Sequence, residues 1–213
     1  RRSRDTEYLF RQDSDFWYLS GFNEPEAWFV LLKPNEGSCE SILFCREKDK
    51  MAEIWQGRRL GPAAAYETLG LERAFSCTQL DEQLLELVNN RATVLWPIGE
   101  HDFADAKVHD ILNRLRSQAK LRNAPRALHD SRVILHEMRL IKSDAEIDVM
   151  RKACEISAKA HVRAMQFCEA GKFEYQVEAE LHHEFTMNGA RSPAYSSIVA
   201  GGDNANVLHY TEN

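Results

Sequence analysis

Two apolar runs separated by a turn restrict this chain more than any other stretch: AWFVLL at residues 27–32 and SILFC at residues 41–45. Both are too short for helices and rich in aromatic and branched side chains, so both predict strands. The run at 27–32 reads as fully buried. Lys33-Pro34-Asn35-Glu36-Gly37 predicts the turn between them. FWYL at 16–19 predicts an earlier strand, closed by a turn signal at 21–25. Three such strands in succession predict a meander of one sheet. Helices then alternate with strands. Leu80, Leu84, Leu87 and Val88 recur at helical spacing over 78–88, and TVLWP at 93–97 reads as a strand ended by proline. Phe103, Val108, Ile111, Leu112 and Leu115 mark the buried side of a helix over 103–117. Alternation of this kind predicts an α/β layer architecture.

The second half reads differently. Residues 120–132 are polar and contain Pro125, as a linker would be. Ser143 and Glu146 form a capping box that opens a helix running to about 168. Its predicted buried stripe is Ile147, Met150, Cys154, His161, Met165 and Cys168. Gly171 is a stop signal, and a second helix over 174–187 carries Val177, Leu181 and Phe185 on one face. The last seventeen residues, SIVAGGDNANVLHYTEN, predict two short strands around Gly201-Gly202-Asp203-Asn204.

Composition removes whole classes of function. The 213 residues carry a net charge of −6, where a nucleic-acid partner would require a basic stripe. No apolar run approaches the ~18 residues of a membrane helix. The five cysteines, Cys39, Cys45, Cys77, Cys154 and Cys168, are odd in number and form no C-x-x-C pair, which fits free thiols in the cytoplasm. There is no signal peptide, and the absent initial Met is read as a trimmed N-terminus.

Several residues invite chemistry. His136-Glu137 begins H-E-x-x-H, but position 140 is Leu140, so that zinc motif is rejected. His182 and His183 are adjacent on a helix and point roughly 100° apart, so they do not share a metal with Glu184. His101 and His109 read as surface residues. Trp55, beside Gly57, Arg58 and Arg59, is either an exposed recognition residue or a core anchor, and composition favours the core. The two arginines are either solvated or paired. His209 falls on the second predicted strand, which aims it; on spacing alone a structural role is favoured.

Five segments carry a family resemblance: RQDSDFWYLSGFNEPEA at 11–27, EIWQGRRLG at 53–61, HEMRLIKSDAEI at 136–147, GGDNAN at 201–206 and LHYTEN at 208–213. Together they resemble the Xaa-Pro aminopeptidases (aminopeptidase P), pita-bread metallopeptidases of family M24. The resemblance implies a mixed-sheet α/β domain of the creatinase and aminopeptidase P N-terminal type over 1–140. It implies the incomplete start of a pita-bread α+β catalytic domain over 141–213. The implied function is removal of the N-terminal residue from peptides with proline in second position. Two manganese ions, Mn(2+), would serve it, held by two Asp, one His and two Glu that all lie beyond LHYTEN. No metal ligand is therefore expected within this chain, which reads as an inactive N-terminal fragment. His209 would lie beside the metal centre as a catalytic and substrate-binding residue. Trp55 would reach the active site of a neighbouring subunit in a homotetramer. Asp5 and Arg132 would belong to a polar network at the site entrance; taken singly, each reads as an ordinary surface charge. Two other readings stay open: a prolidase or creatinase-like enzyme, or a non-catalytic pita-bread module that binds peptides or proteins.

Overall fold

The computed structural model of the chain describes residues 8–34 and 37–213. Asp5, the start of the polar segment at residues 1–8, and Asn35-Glu36 of the predicted turn lie outside the described residues. The chain divides into two units, Arg1–Met138 and Arg139–Asn213.

The first unit opens with a helix where FWYL predicted a strand. In α1 (Ser14–Ser20), Asp13 Oδ1 accepts from the amides of Asp15 and Phe16, both at 2.9 Å. Gly21 closes the helix by donating to Trp17 O at 2.9 Å. A cap at each end outweighs the strand preference of the aromatic residues.

The two apolar runs then form the expected antiparallel pair, β1 (Trp28–Leu32) and β2 (Glu40–Cys45), with Trp28 opposite Phe44 and Leu32 opposite Glu40. It is the apolar run of β2, and not β1, that is fully buried. Ile42, Leu43, Phe44 and Cys45 are inaccessible, whereas Leu31 is 58% exposed. Burial on both faces explains why β2 reads as a continuous apolar run and not as an alternating one.

The chain next crosses over through α2 (Lys50–Gln56) and α3 (Gly61–Leu69) to β3 (Arg73–Ser76). This strand lies parallel to β2, so the sheet order is β1-β2-β3 and the connection is not a meander. A 3-10 turn at Cys77–Gln79 leads into α4 (Leu80–Val88), which packs Leu80, Leu84 and Leu87 into the core beside Ile42 and Phe44.

A second sheet is a βαβ unit: β4 (Thr93–Trp96), α5 (Asp102–Ser117) and β5 (Ala127–Asp130), with the strands parallel. Ile111 and Leu115 of α5 join the same core, but Phe103 is 70% exposed, against expectation. β5 lies inside the polar stretch read as a linker. It has four residues, and His129 faces solvent, so its apolar signal is too short to rise above its surroundings. α6 (Arg132–Leu140) follows.

The second unit holds α7 (Asp144–Phe167) and α8 (Glu174–Met187). The capping box is present: Ser143 N and Oγ each donate to Glu146 Oε2 at 2.8 Å. The two helices pack along Ile156 and Ala160, which are buried, and Arg163 Nε donates to Glu180 Oε2 at 2.5 Å across the pair. The predicted stripe is corrected accordingly. Met150, Cys154, His161, Met165 and Cys168 are exposed, because α7 carries apolar residues on more than one face and α8 covers a different one.

The predicted terminal hairpin is also corrected. Neither 194–200 nor 207–210 is a strand; residues Gly202–Asn206 form a 3-10 turn and His209 sits in a turn. Two strands alone are marginally stable in water, and no third strand of this unit is present among the described residues to pair with them. Among the described residues no helix is long and apolar enough to cross a membrane.

Candidate functional site

The C-terminal loop that carries His209 is held by side chains in place of a ladder. Glu174, the first residue of α8, receives three donors. Gly201 N reaches its Oε1 at 2.6 Å, Asn204 Nδ2 reaches Oε1 at 3.0 Å, and Tyr210 OH reaches Oε2 at 2.8 Å. These bonds hold the Glu174 carboxyl below its ordinary pKa, the Gly201 amide contributing most. The same bond raises the Tyr210 phenol, which stays a donor at neutral pH. Asn213 brackets the loop elsewhere: its Oδ1 accepts from Val199 N at 2.9 Å and its Nδ2 donates to Ser197 O at 3.0 Å. Ser197 Oγ in turn lies 3.0 Å from His182 Nε2. His209 itself is exposed and has no hydrogen bond or ion pair among the described residues.

In the first unit, α2 presents Trp55. Asp49 Oδ1 caps the helix by accepting from Met51 N at 2.9 Å and Ala52 N at 3.0 Å. Gly57 ends it with φ 88°, a value that a side chain would resist, and donates to Glu53 O at 3.1 Å. Arg59 then fastens the exit, donating to Gln56 Oε1 at 3.0 Å and Glu47 O at 3.2 Å, while Arg58 is exposed. Trp55 is 83% exposed, so the core reading of this residue is overturned. Met51 and Ile54 of the same helix are exposed beside it.

Arg132 stands at the carboxyl ends of the parallel strands β4 and β5. Its Nε and Nη2 embrace Asp130, with Nε 3.0 Å from Oδ1 and Nη2 2.5 Å from Oδ2. Nη1 reaches Glu100 Oε2 at 3.2 Å and Nη2 also donates to Ile98 O at 2.8 Å. The bidentate grip holds the Asp130 carboxyl down to about 2. Asp105 staples the same turn, accepting from Trp96 Nε1 at 2.7 Å and Gly99 N at 2.9 Å. Arg132 therefore belongs to a built network and is not a solvated charge. No hydrogen bond among the described residues links Trp55 to it.

Of the sequence candidates, His209 and Arg132 are each held in a local framework, Trp55 is presented on a capped helix, and Asp5 is outside the described residues. Glu174, Asp130, Asp105 and Asn213 were missed. Asp130 has a readable signal, an acid two residues before an Arg at a strand end. Glu174 has a weaker one, an acid opening a helix ahead of a loop rich in Gly and Asn.

Comparison with known proteins gives these frameworks a context. Residues 1–96 match the aminopeptidase P N-terminal domain, and residues 148–213 match metallopeptidase family M24. The structure of Escherichia coli aminopeptidase P in its low-pH form superposes with a TM-score of 0.96 at 49% identity, covering 100% of this chain and 48% of that one. The chain carries, in order, sequence of the two domains matched in the aminopeptidase P family. Its relatives include the Xaa-Pro aminopeptidase of Escherichia coli, 50% identical over 213 residues, and Xaa-Pro aminopeptidase 3 of Homo sapiens, 32% identical over 219. The chain spans about half the length of these relatives, 48% of the first and 42% of the second. Another superposing structure is a zinc-substituted Escherichia coli aminopeptidase P in complex with product.

A metallopeptidase family implies a divalent metal, and the described residues do not fit one. No group of three or more His, Cys, Asp or Glu among them converges as a metal site. His182 is turned to Ser197 and to Glu178, 3.4 Å away, while Glu184 serves Asn188 and faces Arg163. The described residues thus supply a loop, an exposed tryptophan and a polar network, and no metal cage.

Proposed function

We propose that this sequence serves a metalloaminopeptidase that removes the N-terminal residue from peptides with proline in second position. The observation that carries the reading is the 50% identity to an Xaa-Pro aminopeptidase along the whole chain. The bond before proline is a tertiary amide without an N–H, so an enzyme that selects it recognises the substrate through its carbonyl and its ring. In this reading His209 donates to the substrate or to the developing oxyanion. Its exposure and lack of an internal partner support that role.

Trp55 reaches the active site of a neighbouring subunit in a homotetramer. An exposed Trp beside exposed Met51 and Ile54 is the kind of anchor that another copy buries. Residues 1–140 form the domain that assembles the oligomer, and residues 141–213 open the catalytic domain. Arg132, with Asp5, lines the entrance. The metals are two manganese ions, whose ligands come from the half of the relatives' length that this chain does not span. Five free thiols support a cytoplasmic setting.

The test is a cleavage assay on a protein that contains this sequence and spans the relatives' full length, supplied with manganese. Release of the first residue from an Xaa-Pro peptide, and not from its Xaa-Ala counterpart, is the expected result. Equal cleavage of both, or of neither, ends the reading.

A further inference from the structure

We propose that Glu174 is the positioning residue of the His209 loop: its carboxylate gathers Gly201, Asn204 and Tyr210 and so sets where His209 stands. The inference rests on the reading of His209 as a substrate contact, and adds the residue that places it.

The geometry is a net drawn to one carboxylate. Its donors come from within the 3-10 turn and from either side of it, at 2.6 Å from Gly201 N, 3.0 Å from Asn204 Nδ2 and 2.8 Å from Tyr210 OH. Asn204 Nδ2 also donates to the Tyr210 oxygen at 3.1 Å, which closes the net on itself. An ionised carboxylate has about four lone-pair sites, so it can serve all three donors at once. The loop has little else to define it between these anchors. Val207 N donates to Asn204 O at 2.9 Å, and no strand ladder supports residues 207–210. His209 directly precedes the Tyr210 anchor, so one peptide unit separates it from a fixed point. The base of the net is rigid, because Glu174 belongs to the first turn of α8, whose amide dipoles favour a negative charge there. Three charge-assisted bonds depress the Glu174 pKa, so the net is intact at neutral pH.

A plain structural role would be different. Glu174 would then only complement the helix terminus, and its loss would loosen α8. The two roles separate in amide exchange and histidine resonances measured by NMR on the 213-residue chain. Glu174→Ala is expected to speed exchange across residues 201–210 about tenfold or more and to move the His209 ring resonances, with α8 amides unchanged. Glu174→Gln is expected to have a smaller effect, since its amide oxygen still accepts from Gly201. Tyr210→Phe, which removes one anchor and leaves α8 untouched, is expected to move the His209 resonances as well. Unchanged loop exchange and His209 resonances in Glu174→Ala would overturn the proposal. So would a rise in exchange confined to α8 and equal in the Ala and Gln variants. Whether His209 touches substrate is decided separately, by the turnover of His209→Ala in the full-length protein. Failure there removes the role of His209, while the exchange measurement still decides whether Glu174 places the loop.

Discussion

At the scale of single residues, acids anchor Arg132 and the loop that carries His209. Arg132 and Asp130 give a pH signature whose sign follows from the geometry. The Asp130 carboxyl is lowered from 3.8 to about 2 in the folded chain, chiefly by the Arg132 side-chain bonds and then by the Arg132 amide. A depressed carboxyl stabilises the fold fully above its unfolded pKa and loses that contribution as pH falls through the folded value. The network is therefore indifferent to pH between 7 and about 5 and dissolves between about 4 and 2. Arg132→Ala should return the Asp130 midpoint towards 3.8, as read by carboxyl carbon-13 titration. His209 gives the matching prediction for chemistry. In the full-length protein His209→Ala should cut turnover of an Xaa-Pro peptide by ~10²-fold with metal content unchanged. Loss of the metals, or undiminished turnover, would remove it from the reaction. His209 was singled out only because five segments of the sequence resemble a family. Glu174 was not, since an acid opening a helix ahead of a Gly- and Asn-rich loop does not announce that Gly201, Asn204 and Tyr210 converge on it.

At the scale of elements, local rules succeeded where end signals and periodicity agreed and failed where one was read without the other. Ser143 and Glu146 marked the start of α7 correctly because the capping box depends only on adjacent residues. FWYL misled because strand preference was weighed without the Asp13 and Gly21 caps that frame α1. The stripe on α7 misled because periodicity identifies a possible buried face, while the neighbour α8 chooses the actual one. The hairpin misled because a turn signal cannot supply a third strand. The true seam of α7 makes a quantitative prediction. Ile156 is 7% exposed, so Ile156→Ala should destabilise the second unit by roughly 2–5 kcal/mol. Met165→Ala, at a site 69% exposed, should cost within about 0.5 kcal/mol. Thermal unfolding followed by circular dichroism separates the two; equal losses would mean the seam is misplaced.

At the scale of the whole molecule, the chain is two units with different degrees of self-sufficiency. The first has a core fed by its three-stranded sheet and by α4 and α5. The second has one helix pair and a loop, and leaves Val149, Met150, Met165, Phe173 and Met187 exposed. Residues between α6 and α7 are exposed, and we propose that they are the linker. Limited proteolysis should cut first near residues 140–143 and leave a stable N-terminal product. A first cut inside β1, β2 or β4 would reject two independent units. Manganese provides the second test. With no convergent ligand group among the described residues, titration calorimetry of the 213-residue chain should show no micromolar binding. Tight binding accompanied by Xaa-Pro cleavage would mean that the described residues hold a site after all. The alternation of helices and strands was enough to read the α/β class. It was not enough to read the parallel partners β3 and β5, whose four-residue strands carry little periodicity of their own.

The position of β2 also has a history in folding time. Its antiparallel edge closes on β1 across a short loop, a nearby contact that costs little chain entropy. Its parallel edge waits until the segment between Cys45 and Arg73 has been gathered in, a later and more distant closure. Phe44 takes part in both, opposite Trp28 on one side and stacked on Phe75 at 5.5 Å on the other. A single residue thus joins a closure of short sequence separation to one of long separation, and damage to it weakens both.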